Sequence, residues 1–313
     1  MPIIDLHCDT IWKLMDEGEQ AGLYHNDYSV DIEKLQAGQV AAQFFALFVD
    51  QEKTTDPLAR ARAMAERFFR ELKRNEASIG LTKNYDELLA NLAAGKIAAF
   101  LTIEEGGVLA GSLVTLESFY QLGVRLITLT WNYPNELGYP NCRPEYSSHG
   151  LTPFGRDVVA AMNQLGMLVD VSHLSDGGFW DVARLATKPF VASHSNARAL
   201  AGHPRNLTDE MIRTLAEKGG VMGINFEKRF LGDPYLSRVA DMVRHIQHSR
   251  QVGGIEVIAI GSDFDGIGPE LELGHAGEFY KLVDALAAGG FSSDEIEKIC
   301  WQNACRVIRD TLK

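Results

Sequence analysis

The chain has 313 residues, of which 46% are hydrophobic and 23% charged, the proportions of an ordinary globular protein. Its net charge of −12 argues against nucleic acid or an anionic membrane as the main partner, because both are negatively charged themselves. No stretch approaches the ~20 consecutive apolar residues that a membrane-spanning helix needs.

The sequence also bears on the cellular compartment. The first residues, Met1–Leu6, do not combine a basic segment with an apolar run, as a secretory signal does. The chain has four irregularly spaced cysteines, Cys8, Cys142, Cys300 and Cys305, and this spacing does not indicate a disulfide framework. We therefore expect a cytoplasmic protein without a membrane partner.

Eight short apolar runs alternate with amphipathic stretches along the chain. Each run is rich in β-branched or aromatic residues and is continuous rather than alternating, which is typical of a strand covered on both faces. In chain order the runs are Ile3–Asp9, Val40–Val49, Ile97–Glu104, Val124–Trp131, Met167–His173, Pro189–His194, Gly220–Phe226 and Glu256–Asp263.

Helical patterns lie between these runs. The segment Pro57–Asn75 carries apolar side chains at helical spacing. Thr208 is placed to cap a helix that extends to Lys218, and Ser292 opens the last helix in the same manner. Eight strands separated by helices in a chain of this length predict a single (β/α)8 barrel domain over residues 1–313.

A doubly wound open sheet is the alternative fold. The dinucleotide-binding form of that sheet has a glycine-rich turn after its first strand. Here the first run leads into His7-Cys8-Asp9-Thr10, which contains no glycine. The closed barrel is therefore favoured, and we expect its active site at the C-terminal ends of the strands.

Side chains that bind metals lie at five of the predicted strand ends. They are His7 and Asp9 in the first run, Glu104 in the third, His173 in the fifth, His194 in the sixth and Asp263 in the eighth. Because side chains alternate along a strand, His7 and Asp9 share one face and Cys8 lies on the other. The C-terminal ends of barrel strands lie together, so we expect these residues to converge.

Imidazole and carboxylate ligands without cysteine suit zinc, manganese or iron better than calcium. Three histidines with two or three carboxylates exceed the needs of one tetrahedral ion, and two ions bridged by a carboxylate use them all. Such a pair can polarise a carbonyl and hold a hydroxide at neutral pH. The pattern predicts a metal-dependent hydrolase. Four other histidines, His25, His245, His248 and His275, are interpreted as structural.

An ordered set of motifs resembles the zinc dipeptidases of the renal (membrane) dipeptidase family, in the amidohydrolase superfamily, over almost the whole chain. The motifs are Asp5-Leu6-His7-Cys8-Asp9, Glu104 with Gly106-Gly107, Tyr120-Gln121-Leu122-Gly123, Leu129-Thr130, Leu151-Thr152-Pro153-Phe154-Gly155, His173, Ser193-His194-Ser195, Arg205-Asn206 and Gly261-Ser262-Asp263-Phe264-Asp265-Gly266. Each motif alone is weak, whereas the ordered set is specific.

The resemblance implies two zinc ions per chain. His7 and Asp9 match the ligands of one ion, and His173 and His194 match the ligands of the other. Glu104 matches the residue that bridges the two ions.

The resemblance also implies the reaction. Family members cleave dipeptides, often with tolerance for a D-residue at the C-terminal position. Asp263 matches the acid/base beside the bridging hydroxide that attacks the carbonyl, and it would pass the proton to the departing amine. Arg205 matches the arginine that binds the substrate carboxylate, a task that suits a guanidinium fork. The expected partner is a small dipeptide, and assembly into a homodimer is left open.

Two positions depart from the family pattern. Glu105 stands where the family has a glycine, so the bridging position could be one residue off. Trp131 replaces a histidine that contacts the scissile carbonyl, and we expect it to line the substrate site as a wall. Nearby side chains that could replace the lost donor are His149, Asn132 and Tyr133.

Two alternative functions remain. One is a related amidohydrolase activity on an N-acyl amino acid or a lactone, which needs the same metal chemistry. The other is a metal-bearing barrel that binds a ligand without turnover because Trp131 displaced a catalytic group. Arg205 favours a substrate with a free carboxylate, and the retained Asp263 favours an enzyme.

Overall fold

The computed structural model describes residues 1–18 and 21–313. Its strands are β1 (Ile3–Cys8), β2 (Val40–Phe48), β3 (Ile79–Leu81), β4 (Ile97–Glu104), β5 (Val124–Thr128), β6 (Leu168–Asp170), β7 (Val191–Ser195), β8 (Val221–Ile224) and β9 (Ile258–Ile260). All strand pairs are parallel, in the order β2-β1-β9-β8-β7-β6-β5-β4, and a further pairing of β2 with β4 closes the ring. The predicted barrel is confirmed, and the open doubly wound sheet is excluded.

All eight apolar runs contribute a strand to this ring. The ninth strand, β3, was not predicted, and it pairs only with the beginning of β4, outside the ring. It has three residues with a glycine in the middle, so it carries no periodic signal. Several strands end earlier than their runs; the run Met167–His173, for example, forms a strand only over Leu168–Asp170.

Helices surround the barrel. They are α1 (Thr10–Asp16), α2 (Ile32–Ala37), α3 (Pro57–Arg74), α4 (Tyr85–Ala93), α5 (Leu113–Leu122), α6 (Pro153–Leu165), α7 (Asp176–Leu185), α8 (Asp209–Glu217), α9 (Lys228–Leu231), α10 (Val239–Gly253), α11 (Tyr280–Ala288), α12 (Ser293–Glu297) and α13 (Asn303–Thr311). Short 3-10 turns lie at Gln51–Lys53, Gly106–Leu109, Pro144–Tyr146, Ile255–Val257 and Ala276–Glu278. Within residues 1–18 and 21–313, no helix combines the length and the apolar character needed to cross a membrane.

The predicted helix starts are confirmed by their caps. The side chain of Thr208 accepts a hydrogen bond from the backbone N–H of Met211 at the start of α8. Ser292 and Glu295 form a reciprocal capping box at the start of α12. The last predicted helix is interrupted, because a π-helical turn at Lys298–Gln302 separates α12 from α13.

The interior of the barrel is apolar at one end and polar at the other. Ile4, Phe44 and Phe100 belong to one buried cluster that also contains Ile308 of α13, and the rings of Phe44 and Phe100 stack at 4.4 Å. Helix α13 therefore packs against the N-terminal ends of the strands. Further along β4, the inward-facing position is Glu104, so the polar residues gather at the opposite, C-terminal end.

Candidate metal centre and active site

A cavity of about 920 Å³ opens at the C-terminal ends of the strands. Its wall includes Asp9, Glu104, His173 and Asp263, which come from four different strand ends. A cavity of this size lies in the range of ligand-binding sites. The C-terminal end of the barrel strands is where TIM-barrel enzymes place their active sites, as predicted.

The predicted metal ligands converge around Glu104. One carboxylate oxygen, Oε2, lies 3.2 Å from His7 Nε2, which is itself 3.4 Å from Asp9 Oδ2. The other oxygen, Oε1, lies 3.0 Å from His173 Nε2 and 3.6 Å from His194 Nε2. The five side chains thus form two groups, and Glu104 belongs to both.

Two β-bulges turn ligands toward the centre. Opposite β2, strand β1 advances from Asp5 to Cys8 while its partner advances only from Gln43 to Phe45, so β1 holds one extra residue beside His7. Strand β7 has the same irregularity over the segment 192–195, which contains His194. A bulge re-aims side chains locally. As a result His7 faces the centre although its neighbour Leu6 belongs to the interior apolar cluster.

Two other site residues lie where the chain leaves its strand. His173 has φ 66° and Asp263 has φ 62°, both in the left-handed region that non-glycine residues seldom adopt. Such a conformation costs of order 1–3 kcal/mol and persists where the surroundings impose it. Each lies at the last residue of its apolar run, three residues beyond the end of β6 or β9.

Hydrogen bonds determine which ring nitrogen carries the proton in His173 and in His194. The Ser193 hydroxyl donates its only proton to Asp170 Oδ2 at 2.5 Å. At its 2.7 Å contact with His194 Nδ1, this hydroxyl can therefore only accept a hydrogen bond. His173 Nδ1 likewise donates to the Asn132 side-chain oxygen at 3.2 Å. Both Nδ1 atoms are therefore protonated, which leaves both Nε2 atoms as lone-pair donors.

These lone pairs make the centre suited to cations. His173 Nε2 and His194 Nε2 lie 3.0 Å apart, with Glu104 Oε1 beside them. Neither ring nitrogen of His7 has a hydrogen-bond partner, and Asp9 Oδ1 also lacks one. Buried polar atoms are nearly always satisfied, so a cluster of acceptors without donors fits metal ions.

Burial and neighbouring charges shift the pKa values of the residues in the centre. Burial alone would raise the pKa of the Glu104 carboxyl, but His7, His173 and His194 hold it well below its ordinary value. Burial would lower the pKa of His7, yet the carboxylates of Glu104 and Asp9 raise it well above the ordinary value. The Glu104 carboxylate and the His7 ring, which lie 3.2 Å apart, therefore stabilise each other's charged forms.

Asp263 stands beside the two groups. Its Oδ1 lies 3.8 Å from His7 Nε2, and its Oδ2 accepts a 2.8 Å hydrogen bond from the Asn225 amide. Burial, opposed by His7, raises the pKa of Asp263 to about 8. Asn225 was not predicted, although its place at the end of the run Gly220–Phe226 is a signal that could have identified it.

Comparison with known families decides the identity. The chain matches the membrane dipeptidase family, peptidase family M19, over residues 1–313. This chain belongs to the membrane dipeptidase family. The prediction of a metallo-dipeptidase, a peptide-bond hydrolase, is confirmed by this membership.

Three relatives support this membership of the family. Dipeptidase tcpJ of Claviceps purpurea is 30% identical over 293 residues, which cover 90% of this chain and 69% of that protein. An uncharacterized protein in the pqqA 5′ region of Klebsiella pneumoniae is 38% identical over 227 residues, covering 68% of this chain and 82% of that protein. The crystal structure of a Rhodobacter sphaeroides metallo peptidase, liganded with a phosphinate mimic of the dipeptide L-Ala-D-Ala, has a TM-score of 0.92 at 26% identity and covers 99% of both chains.

Glu105, which replaces a glycine of the dipeptidase pattern, faces away from the histidines. Its Oε2 accepts from the Asn135 amide at 2.5 Å and from the backbone N–H of Trp131 at 3.4 Å. Burial raises the pKa of this carboxyl to about 8. Glu104, rather than Glu105, is thus the glutamate that contacts the histidines, and Glu105 joins the end of β4 to the loop after β5.

Trp131 stands in an aromatic wall of the cavity. Its ring centre lies 4.9 Å from that of Phe48, which in turn lies 5.4 Å from Trp12, and all three side chains line the cavity. Trp131 is also 6.4 Å from His173, measured between ring centres. Neither Trp12 nor Phe48 was singled out in the sequence, because each looks like an ordinary core residue there.

The side chains considered as replacements for the missing histidine lie in different surroundings. His149 is exposed and packs against Tyr139 at 4.8 Å, and it is absent from the residues that line the cavity in the described chain. Tyr133 contacts Trp131 at 5.5 Å but does not line the cavity either. Asn132 does line it, and its oxygen is engaged by His173.

Arg205 lies buried beside the metal centre. Its guanidinium donates to the His194 carbonyl at 3.0 Å and contacts the Ser195 hydroxyl at 3.5 Å, while its Nε has no partner. The Arg205 side chain itself does not line the cavity surface; Phe230, whose ring centre is 5.2 Å from the guanidinium carbon, and His203 do so. Burial lowers the pKa of Arg205, and Asp263 and Glu104 act against that effect.

Proposed function

We propose that this member of the family is a dinuclear zinc dipeptidase that tolerates a D-residue at the C-terminal position of its substrate. The observation that carries the proposal is the position of Glu104, whose two oxygens face the His7–Asp9 pair and the His173–His194 pair separately. A carboxylate placed in this way can bridge two cations.

Each pair has the donor set that zinc prefers. His7 and Asp9 would hold one ion, His173 and His194 would hold the other, and Glu104 would bridge them. When bound, the two ions would polarise the scissile carbonyl and lower the pKa of a coordinated water. The Nδ1 contacts of His173 with Asn132 and of His194 with Ser193 fix the two rings and leave their Nε2 lone pairs to act as metal ligands.

Asp263 would move the proton. Its Oδ2 is held by the Asn225 amide, so Oδ1 faces the centre and is free to take the proton of the attacking water. The same carboxyl would then give that proton to the departing amine. General acid/base catalysis of this kind contributes roughly 10²–10⁴-fold to the rate.

The substrate is proposed from Arg205 and from the relatives. Arg205 lies behind the cavity wall formed by Phe230 and His203, and its buried Nε atom has no partner. A substrate carboxylate that entered at this wall would satisfy it. The ligand of the Rhodobacter sphaeroides relative mimics a dipeptide with a D-residue at its C-terminus. We infer that Arg205 anchors the C-terminal carboxylate and that Trp131 forms one wall of the substrate site.

A substrate screen tests this proposal. Dipeptides with L- and D-residues at the C-terminus are compared with N-acetyl amino acids and lactones, for zinc-loaded wild type and for Asp263→Asn. Cleavage of dipeptides, lost in the variant, supports the proposal. Cleavage of only the N-acetyl amino acids or lactones would establish the related amidohydrolase instead, and binding without any turnover would establish the inactive barrel. The cytoplasmic location and the homodimer stay predictions.

A further inference from the structure

Basic side chains are unevenly paired around the cavity. Three of those that line it form ion pairs with carboxylates: Lys53 with Asp50 at 3.0 Å, Arg60 with Asp16 at 3.3 Å and Lys228 with Glu270 at 2.7 Å. Two others that line it, Arg229 and His203, form no ion pair in the part of the chain that the structure describes. Arg229 lies in helix α9, and His203 lies in the loop after β7 and packs on Phe230 of the same helix.

Arg229 offers an exposed guanidinium to the cavity. It lies in the short helix α9, whose start is capped by Glu227 through a 3.4 Å contact with the backbone N–H of Arg229. Glu227 also lines the cavity, but its carboxylate is engaged by that N–H and lies beyond ion-pair distance of the guanidinium. The positive charge of Arg229 is therefore available to a ligand.

His203 lies beside it as a second donor. Its Nδ1 accepts the backbone N–H of Arg205 at 3.2 Å, so the neutral ring carries its proton on Nε2. The ring packs on Phe230 at 4.6 Å. Burial, together with the guanidinium groups of Arg205, Arg229 and Arg198, lowers the pKa of His203.

We propose that Arg229 and His203 form a subsite for an acidic side chain on the C-terminal residue of the substrate. The inference rests on the proposed dipeptidase function, in which Arg205 anchors the main-chain carboxylate. His203 accepts the backbone N–H of Arg205 and lines the cavity together with Arg229. We therefore expect the side chain of the substrate residue whose carboxylate Arg205 binds to lie next to the subsite. The preferred substrates are therefore dipeptides that end in Asp or Glu, of either configuration.

Neutral isosteres test the subsite. The kcat/KM of Leu-Glu and Leu-Gln is measured for both configurations of the second residue, at low salt, with zinc-loaded enzyme. We expect wild type to favour Glu over Gln by about 10-fold, the effect of one charge-assisted hydrogen bond. The ratio should approach 1 in Arg229→Met and should fall in wild type as salt is raised, because Arg229 is exposed.

A matched control distinguishes the loss of the Arg229 charge at the cavity from the loss of one positive charge elsewhere on the protein. Arg213 is exposed on α8 and does not line the cavity, so Arg213→Met loses the same charge and should keep the wild-type ratio. The ratio compares two substrates on the same enzyme preparation, so it does not depend on the fraction of enzyme molecules that are active. Equal rates on Glu and Gln in wild type, or an unchanged ratio in Arg229→Met, would overturn the subsite and leave the dipeptidase proposal intact. Cleavage of no dipeptide at all would overturn both.

Discussion

At the scale of single residues, the site depends on a few buried polar atoms whose partners come from distant parts of the sequence. Glu104 contacts three histidines, and Asp263 is held by Asn225. Glu104 is held with both carboxylate oxygens toward the histidines, and Asp263 is held with its Oδ1 toward the centre. Substitutions that keep the shape of a side chain but change one such atom should therefore alter the chemistry without unfolding the barrel.

Asp263→Asn changes one oxygen to an amide. The amide cannot accept and return a proton, so we expect kcat to fall roughly 10²–10⁴-fold. Zinc content, measured by elemental analysis, should stay at the wild-type value. A variant with nearly normal kcat would mean that the proton moves through another carboxyl, and Asp265 or Glu105 would become the candidate.

Ser193→Ala tests the hydrogen bond that positions His194. Without the hydroxyl, His194 Nδ1 loses its acceptor, and the ring can adopt the tautomer in which Nε2 is protonated. Loss of such a contact typically weakens metal affinity about 10–100-fold. Competition with a chelator measures the zinc affinity. Ser249→Ala removes another buried serine hydroxyl, one that donates to the backbone carbonyl of His245 within α10 and to no metal ligand. This variant serves as the control and should bind zinc normally.

Trp131→His restores the side chain that the dipeptidase pattern has at this position. An imidazole can donate a hydrogen bond to the developing oxyanion, and donors of this kind are worth roughly 10²–10³ in kcat. Because bound metals supply part of that stabilisation, we expect kcat to rise less than this, with a wider range of dipeptides accepted. His149→Ala should have almost no effect. Slower turnover of every dipeptide by Trp131→His would show that the tryptophan belongs to a site shaped for another substrate.

At the scale of secondary-structure elements, the strands set the positions of the ligands and the helices hold the loops that surround them. The bulged segments of β1 and β7 each contain a histidine of the centre. Helix α10 supports the loop after β7, because His245 on this helix accepts the backbone N–H of Ala197 at 3.1 Å and contacts the Leu231 carbonyl at 3.3 Å. This histidine, interpreted as structural from the sequence, is indeed buried away from the metal centre.

The stability of the protein should depend on the protonation of His245. Burial lowers the pKa of this histidine from its ordinary 6.5 to about 4. The unfolded chain therefore takes up a proton first as the pH falls, so the stabilisation is complete above pH 6.5 and is lost between about 6.5 and 4. The slope should be about 1.4 kcal/mol per pH unit. Urea unfolding of wild type and His245→Gln across this range measures the difference in slope, and parallel curves would contradict the prediction.

At the scale of the whole molecule, the barrel separates stability from function. The apolar cluster around Phe44 and Phe100, closed by α13, fills the N-terminal half of the interior, and the polar centre occupies the other end. Most of the buried apolar area is remote from the ligands. Loss of a ligand should therefore leave the fold intact, while binding of metal should add stability to it.

Metal analysis tests this arrangement. After saturation with zinc and removal of the excess, wild type should contain two ions per chain, and His173→Ala should contain fewer and have no activity. Zinc should raise the Tm of wild type, since a ligand at 100 times its Kd adds about 2.7 kcal/mol to the free energy of unfolding. The variant should retain the folded circular dichroism spectrum. No more than one ion in wild type would contradict the bridged pair.

The sequence by itself determined the barrel, its eight ring strands and the residues that converge at their ends. These follow from local properties: a short apolar run indicates a buried strand, and His7, Asp9, Glu104, His173 and Asp263 each lie at the end of one. In a closed parallel barrel all such ends meet, so the position of a residue in its run is enough to place it. The family motifs added the proposed roles.

Only the tertiary structure decided the details that control the chemistry. The bulges beside His7 and His194 depend on the register of neighbouring strands, and the left-handed backbone at His173 arises only in the folded chain. The partners Asn225 and Ser193, and the unpaired Arg229, are likewise set by contacts between segments far apart in the chain. Such contacts leave no periodic signal in the sequence, because they satisfy single polar atoms rather than repeat along an element.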